Sequence, residues 1–145
     1  MFIRKQGKTK IMWLPVAASA GAMAEGSAVA LSSGTLILAT NTTASYYIVG
    51  ILRKTVTTAD TDYATARELP VEVPVEKNVV WTADVKVGTL ATTSVGLYFD
   101  LTTADDGSGV DQSASTYDIC FCTKFISTTK GEFVLNIGSD GIAKA

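Results

Sequence analysis

Glu68-Leu69-Pro70-Val71-Glu72-Val73-Pro74-Val75-Glu76-Lys77 alternates apolar side chains with proline and glutamate. At the two-residue period of a strand, Leu69, Val71, Val73 and Val75 share one face and Pro70, Glu72, Pro74 and Glu76 the other, which is expected to be wet. The N–H and C=O of one strand residue point to the same lateral side, and successive residues point to opposite sides. Both prolines therefore remove donors from a single edge, while Val71, Val73 and Val75 can still serve a full ladder on the other. The pattern predicts a strand at the border of a sheet, its free side protected against pairing by Pro70, Glu72, Pro74 and Glu76. Such protection suits a β-protein that is crowded or packed beside copies of itself.

The same class follows from composition. At 145 residues, 47% of them hydrophobic, the chain holds enough apolar material for one core in one domain. Valine, threonine and glycine are abundant, while leucine, glutamate and lysine are sparse, which favours an all-β barrel or sandwich over a helical fold. Ala28–Leu31 and Thr35–Ala39 read as a hairpin around Ser32-Ser33-Gly34, and Tyr46–Leu52 as an apolar strand. Arg53–Arg67, rich in Thr, Asp and Ala, reads as a long loop. Beyond the alternating segment, strands are expected at Asn78–Val85 and Lys86–Ala91, then at Val95–Leu101, Tyr117–Ile126 and Glu132–Ile137.

Charge divides the chain unevenly. Residues 1–24 carry four basic and no acidic side chains, whereas residues 25–145 carry eight basic and fourteen acidic ones. An acidic body of this kind argues against nucleic acid as the main partner, because phosphate binding needs several clustered cations. Arg4 to Lys10, the apolar Ile11 to Ala18 and the closing Ala22-Met23-Ala24 have the layout of a secretory leader. The apolar run is too short and too rich in Ala and Gly to span a bilayer. The reading adopted is a docking arm at 1–24 followed by a β-domain at 25–145. Phe2, Ile3, Ile11, Met12, Trp13 and Leu14 are costly to leave in water and are expected to bury against another subunit or partner.

Catalytic chemistry has little to stand on. The chain has no histidine, which removes the commonest general base and metal ligand, so no enzymatic activity and no cofactor or metal is expected. Asp84 with Asp100 or Asp118 is a conceivable carboxylate pair, but surface acids at strand ends are the simpler reading. Asp60-Thr61-Asp62 and Asp105–Asp111 resemble cation loops yet lack the spacing of an EF-hand, so solvated turns are expected. Cys120 and Cys122 point the same way on one strand and are read as packed thiols of a protein assembled in a reducing cytoplasm. Tyr46, Tyr47, Trp81, Tyr98 and Tyr117 are read as packing residues first and a sugar-stacking platform second.

Several short motifs recur in a known order: Gly34-Thr35-Leu36, Ile48-Val49-Gly50-Ile51, Val71-Glu72-Val73-Pro74-Val75, Trp81-Thr82-Ala83-Asp84-Val85 with Gly88-Thr89, Val95-Gly96 before Asp100-Leu101, and Val110-Asp111. In this order the chain from about Glu25 onward resembles the capsid decoration (cement) proteins of tailed bacteriophages. The resemblance implies a small β-barrel or β-tulip-like sandwich with an extended N-terminal arm. It also implies a homo-oligomer, trimer ahead of dimer, on the outer surface of an icosahedral shell, stapling neighbouring major capsid protein subunits. The arm would then bind the capsid through Phe2, Ile3, Arg4, Lys5, Lys8, Lys10, Ile11, Trp13 and Leu14, basic groups meeting acidic shell surface and apolar groups anchoring. The alternative function is a carbohydrate- or receptor-binding β-sandwich of a virion or cell surface.

Overall fold

The computed structural model describes residues 1–43, 47–102 and 108–137. Its strands are β1 (Ile3–Gln6), β2 (Thr9–Val16), β3 (Ala28–Ser32), β4 (Thr35–Leu38), β5 (Ile48–Leu52), β6 (Arg67–Pro74), β7 (Val80–Val87), β8 (Tyr98–Leu101), β9 (Gly109–Asp111), β10 (Cys120–Ser127) and β11 (Lys130–Leu135). A short 3-10 turn lies at Thr92–Ser94, between β7 and β8. The protein is nearly all β in a small single domain, as composition requires.

One sheet runs β7-β11-β10-β8-β9 and closes into a five-stranded barrel, because β9 pairs antiparallel with β8 and parallel with β7. β1 joins the barrel at β7, pairing across Val80–Thr82, while β9 takes Asp84–Val87. Alternate residues supply the barrel's filling: Trp81, Ala83, Phe99, Leu101, Cys120, Cys122 and Phe133 are buried. The second sheet runs β2-β6-β5-β3-β4. The predicted hairpin is there, β3 and β4 meeting around Ser33 and Gly34, both at positive φ as a tight hairpin turn demands. Buried residues of both sheets form one continuous core.

Two expectations are corrected. The alternating segment forms β6, but it is no border: β2 pairs along its whole length, from Thr9↔Pro74 to Val16↔Arg67, and β5 lies on its other side. The full ladder does fall on the edge served by Val71 and Val73, and beyond it the Val75 N–H reaches the Lys8 carbonyl (3.1 Å). The proline side faces β5. There pairing is confined to Leu52↔Val71 and Ile51↔Glu72, and the Arg53 N–H donates to the Pro70 carbonyl at 3.0 Å. The prolines thus shorten that ladder rather than prevent it, since proline loses its donor but keeps its acceptor. Gly50 lets β5 come close at this point, where a Cβ would collide with the Glu72 carbonyl.

Nor is the opposite face of β6 wet. Leu69, Val71 and Val73 are buried as expected, but Glu72 and Pro74 are buried too, and only Glu76 past the strand end is exposed among the four polar-face residues. The cause is the second correction: residues 1–24 are extended but are not an arm set apart from a domain at 25–145. β1 belongs to the barrel and β2 to the other sheet, and Arg4 on β1 reaches across to Glu72 on β6. Phe2 is fully buried with its N–H on the Gly26 carbonyl (2.8 Å), and Met23 bridges to Val56. The chain changes sheets at Gly7, whose φ of +100° and close approach to Val79, 2.9 Å from a hypothetical Cβ, admit no larger residue without strain.

Candidate functional site

The nine residues expected to form a docking arm separate into two groups once folded. Phe2 and Leu14 pack into or against the core, and Arg4 donates to the Gly7 carbonyl (2.9 Å) and pairs with Glu72 (2.9 Å). Lys5, Lys8, Lys10, Ile3, Ile11 and Trp13 remain exposed. Among the apolar residues of β2 strand alternation sets the division: Met12, Leu14 and Val16 turn inward, while Ile11 and Trp13, two residues apart, share the outward face. Trp13, opposite Pro70 on β6, is 61% exposed, and Ile11 is 52% exposed.

β2 is also the true border. Its even-numbered residues face β6, as the Lys8–Val75 bond fixes, so the N–H groups of Ile11 and Trp13 point away from the ladder. Pro15, on the same outer side, has no donor to offer. β4 approaches β2 without forming a ladder with it. Lys5, Lys8 and Lys10 make no ion pair among the described residues. β2 is therefore an edge strand whose outward face bears two large exposed apolar side chains, with the unpaired cations Lys5, Lys8 and Lys10 exposed on or just before it.

Glu72 has the opposite character. Its carboxylate is paired by Arg53 and by Arg4, and it accepts the Thr9 hydroxyl at 2.8 Å. Arg53 in turn donates to the Phe2 carbonyl (3.2 Å) and lies over the Trp81 ring, 5.8 Å from its centre. This cluster ties β1, β2, β6 and the end of β5 together and is structural in geometry. The Trp81 Nε1 beneath it has no hydrogen-bond partner, which nothing in the structure explains. Glu76, the last of the predicted edge-protecting residues, accepts the Lys8 N–H at 2.8 Å and pins the β1–β2 turn.

The candidate acids do not converge. Asp100 is buried and accepts the backbone N–H groups of Thr116, Tyr117 and Asp118 at 2.8–3.0 Å, so it organises the loop before β10. Asp84 instead faces Lys130 (3.9 Å) and the Met1 amino group (3.3 Å). Asp60 takes the Thr57 N–H and hydroxyl, which hold its carboxyl below the ordinary range, and Arg67 sits against both Asp60 and Asp62. That guanidinium occupies the place a cation would take in Asp60-Thr61-Asp62. Asp105–Gly107 lie outside the described residues, and Asp111 is bonded to Ser113 (2.9 Å to its N–H). No group of three or more metal-ligating side chains occurs among the described residues. Cys120 and Cys122 are free and buried, and burial pushes both thiols up.

Of the aromatic set, Trp81 is core, and Tyr47, Tyr98 and Tyr117 are exposed; Tyr46 lies outside the described residues. Arg53 and Arg67 escaped the sequence reading. A cation following an apolar strand is an ordinary solvated terminus until a carboxylate 19 residues away folds against it. No helix among the described residues is long and apolar enough to cross a membrane. Comparison with family models, with curated proteins and with solved structures returned no match.

Proposed function

We propose that the chain is a structural protein of a phage virion that sits on the outer surface of an icosahedral capsid and cements neighbouring major capsid protein subunits. The observation that carries this reading is β2, an edge strand that leaves Ile11 and Trp13 exposed on its outward face, with Lys5, Lys8 and Lys10 exposed in the same opening segment. Burying the two apolar groups supplies affinity, and the lysines orient the module on an acidic shell. A homo-oligomer, trimer ahead of dimer, would present this surface several times, so that modest contacts sum to stable attachment on a repeating lattice. Assembly takes place in the host cytoplasm, and no catalysis, nucleic acid or membrane is involved.

The test is co-sedimentation with mature shells of the encoding phage from which the protein has been stripped. The double substitution Ile11→Ser with Trp13→Ser changes only outward-facing groups, so the fold is retained, while occupancy falls by about tenfold or more. Undiminished occupancy would refute the assignment. Sedimentation equilibrium of the free protein reads the oligomer mass.

A further inference from the structure

A second surface, on the other side of the molecule's chemistry, belongs to the barrel. Val80, Val134, Phe121 and Tyr98 stand directly opposite one another across β7, β11, β10 and β8, forming an apolar row on the barrel's outer face. The row floors a cleft of about 550 Å³, walled by the Pro74–Val79 turn and by Leu135–Ile137. Tyr98 is 42% exposed, and its ring lies 5.0 Å from that of Phe121 at a 52° tilt. Polar groups ring this aromatic floor: Glu76, Lys77, Asn78, Thr123 and Asn136.

We infer that this cleft binds a saccharide of one or two rings. Its volume lies within the range of small-ligand sites, which combine an apolar surface with a few directed polar groups. A sugar ring offers an apolar C–H face and a rim of hydroxyls that both donate and accept. The cleft matches both: the Tyr98 face supplies the platform, and amides and a carboxylate supply donors and acceptors. The Asn78 amide has no intramolecular partner among the described residues, and Asn136 uses its Nδ2 on the Asp118 carbonyl (3.2 Å), leaving its oxygen as an acceptor. Other ligand classes fit worse. Among the described residues Lys77 is the one cation of the lining and is followed in the chain by Asn78 and preceded by Glu76, so a phosphate gains no net attraction. A lipid chain would desolvate the polar rim, including the Asn78 amide, without replacing its hydrogen bonds to water.

Asn78 is held at φ +63°, a left-handed conformation that asparagine tolerates better than most residues. Asn78 lies in the connection between β6 and β7 and lines the cleft there. The site is remote in sequence from Ile11 and Trp13 and shares no residue with them, so it stands whether or not the β2 surface binds a shell.

The experiment is saturation-transfer NMR, followed by titration calorimetry, of the full chain with methyl glycosides of glucose, galactose, mannose, rhamnose and N-acetylglucosamine, and with their common disaccharides. Saturable binding of at least one probe is expected, with the strongest transfer to protons of one C–H face. Tyr98→Ala should weaken it about tenfold and Tyr98→Phe should retain it, because the ring face and not the hydroxyl carries the contact. Asn78→Gly, which keeps the backbone conformation, should also weaken it, while Ile11→Ser with Trp13→Ser should leave it unchanged. No saturable binding of any probe at millimolar concentration, or binding unaltered by Tyr98→Ala in a protein with unchanged thermal unfolding, overturns the inference.

Discussion

β6 and β2 lie side by side, and each has the place in the sheet that the other's sequence suggests. β6, with two prolines and two glutamates, reads as a border and is paired on both sides. β2, in a basic and apolar opening segment, reads as part of a detached arm and is the border. The difference teaches that proline reports on the donors of one edge and not on whether a neighbour exists there. A partner that needs only a two-residue ladder and one carbonyl, as β5 does, pairs with a proline-bearing edge without loss. Border status depends on which distant segment arrives, and 50 residues of chain lie between Val16 and the start of β6 at Arg67.

The comparison breaks most completely under deletion. Removing residues 2–14 takes away β1, most of β2 and the buried Phe2, and uncovers Glu72 and Arg53. The expected outcome is loss of cooperative folding, read by near-ultraviolet circular dichroism and thermal unfolding; an arm hanging from an independent domain would leave the melting transition intact. Glu72→Ala is the next largest effect. It strands the largely buried Arg53, at a cost of about 3–5 kcal/mol and a fall in Tm of roughly 10 °C. Lys10→Ala, on the outer strand beside it, should change stability by about 0.5 kcal/mol or less in urea titrations.

How much was legible in advance follows from these residues. The all-β class, the Ser33-Gly34 hairpin, the long loop after β5, the inward Leu69, Val71 and Val73 and the packed Cys120 and Cys122 were readable, because period-2 alternation and turn chemistry act within a few residues. Sheet order was not, because pairing of Thr9–Val16 with Arg67–Pro74 is a long-range event with no local signature. For the same reason the capsid-binding set mixed core and surface. Phe2, Ile11 and Trp13 are equally apolar on paper, yet Phe2, just before β1, folds into the core while Ile11 and Trp13 lie on the outward face of β2. The barrel's closure by the three-residue β9 was equally hidden.

Smaller effects sharpen the contrast between the prolines. Pro70→Thr adds a donor toward the short β5 ladder inside the sheet, so stability should change by about 1 kcal/mol or less with no change in sedimentation. Pro15→Thr adds a donor to the outer edge of β2 and should raise self-association in sedimentation velocity at the same protein concentration. The reverse pattern would make β6 the exposed edge after all.

Residue-resolved amide hydrogen exchange tests the central claim most directly. If β2 is the border strand of the sheet and β6 its interior neighbour, Met12 and Leu14 exchange slowly, Ile11 and Trp13 between them exchange fast, and Val71, Glu72 and Val73 are all protected. Uniformly fast exchange from Ile3 to Val16, with protection in β6 limited to Val71 and Val73, would contradict the account and restore β6 as the edge.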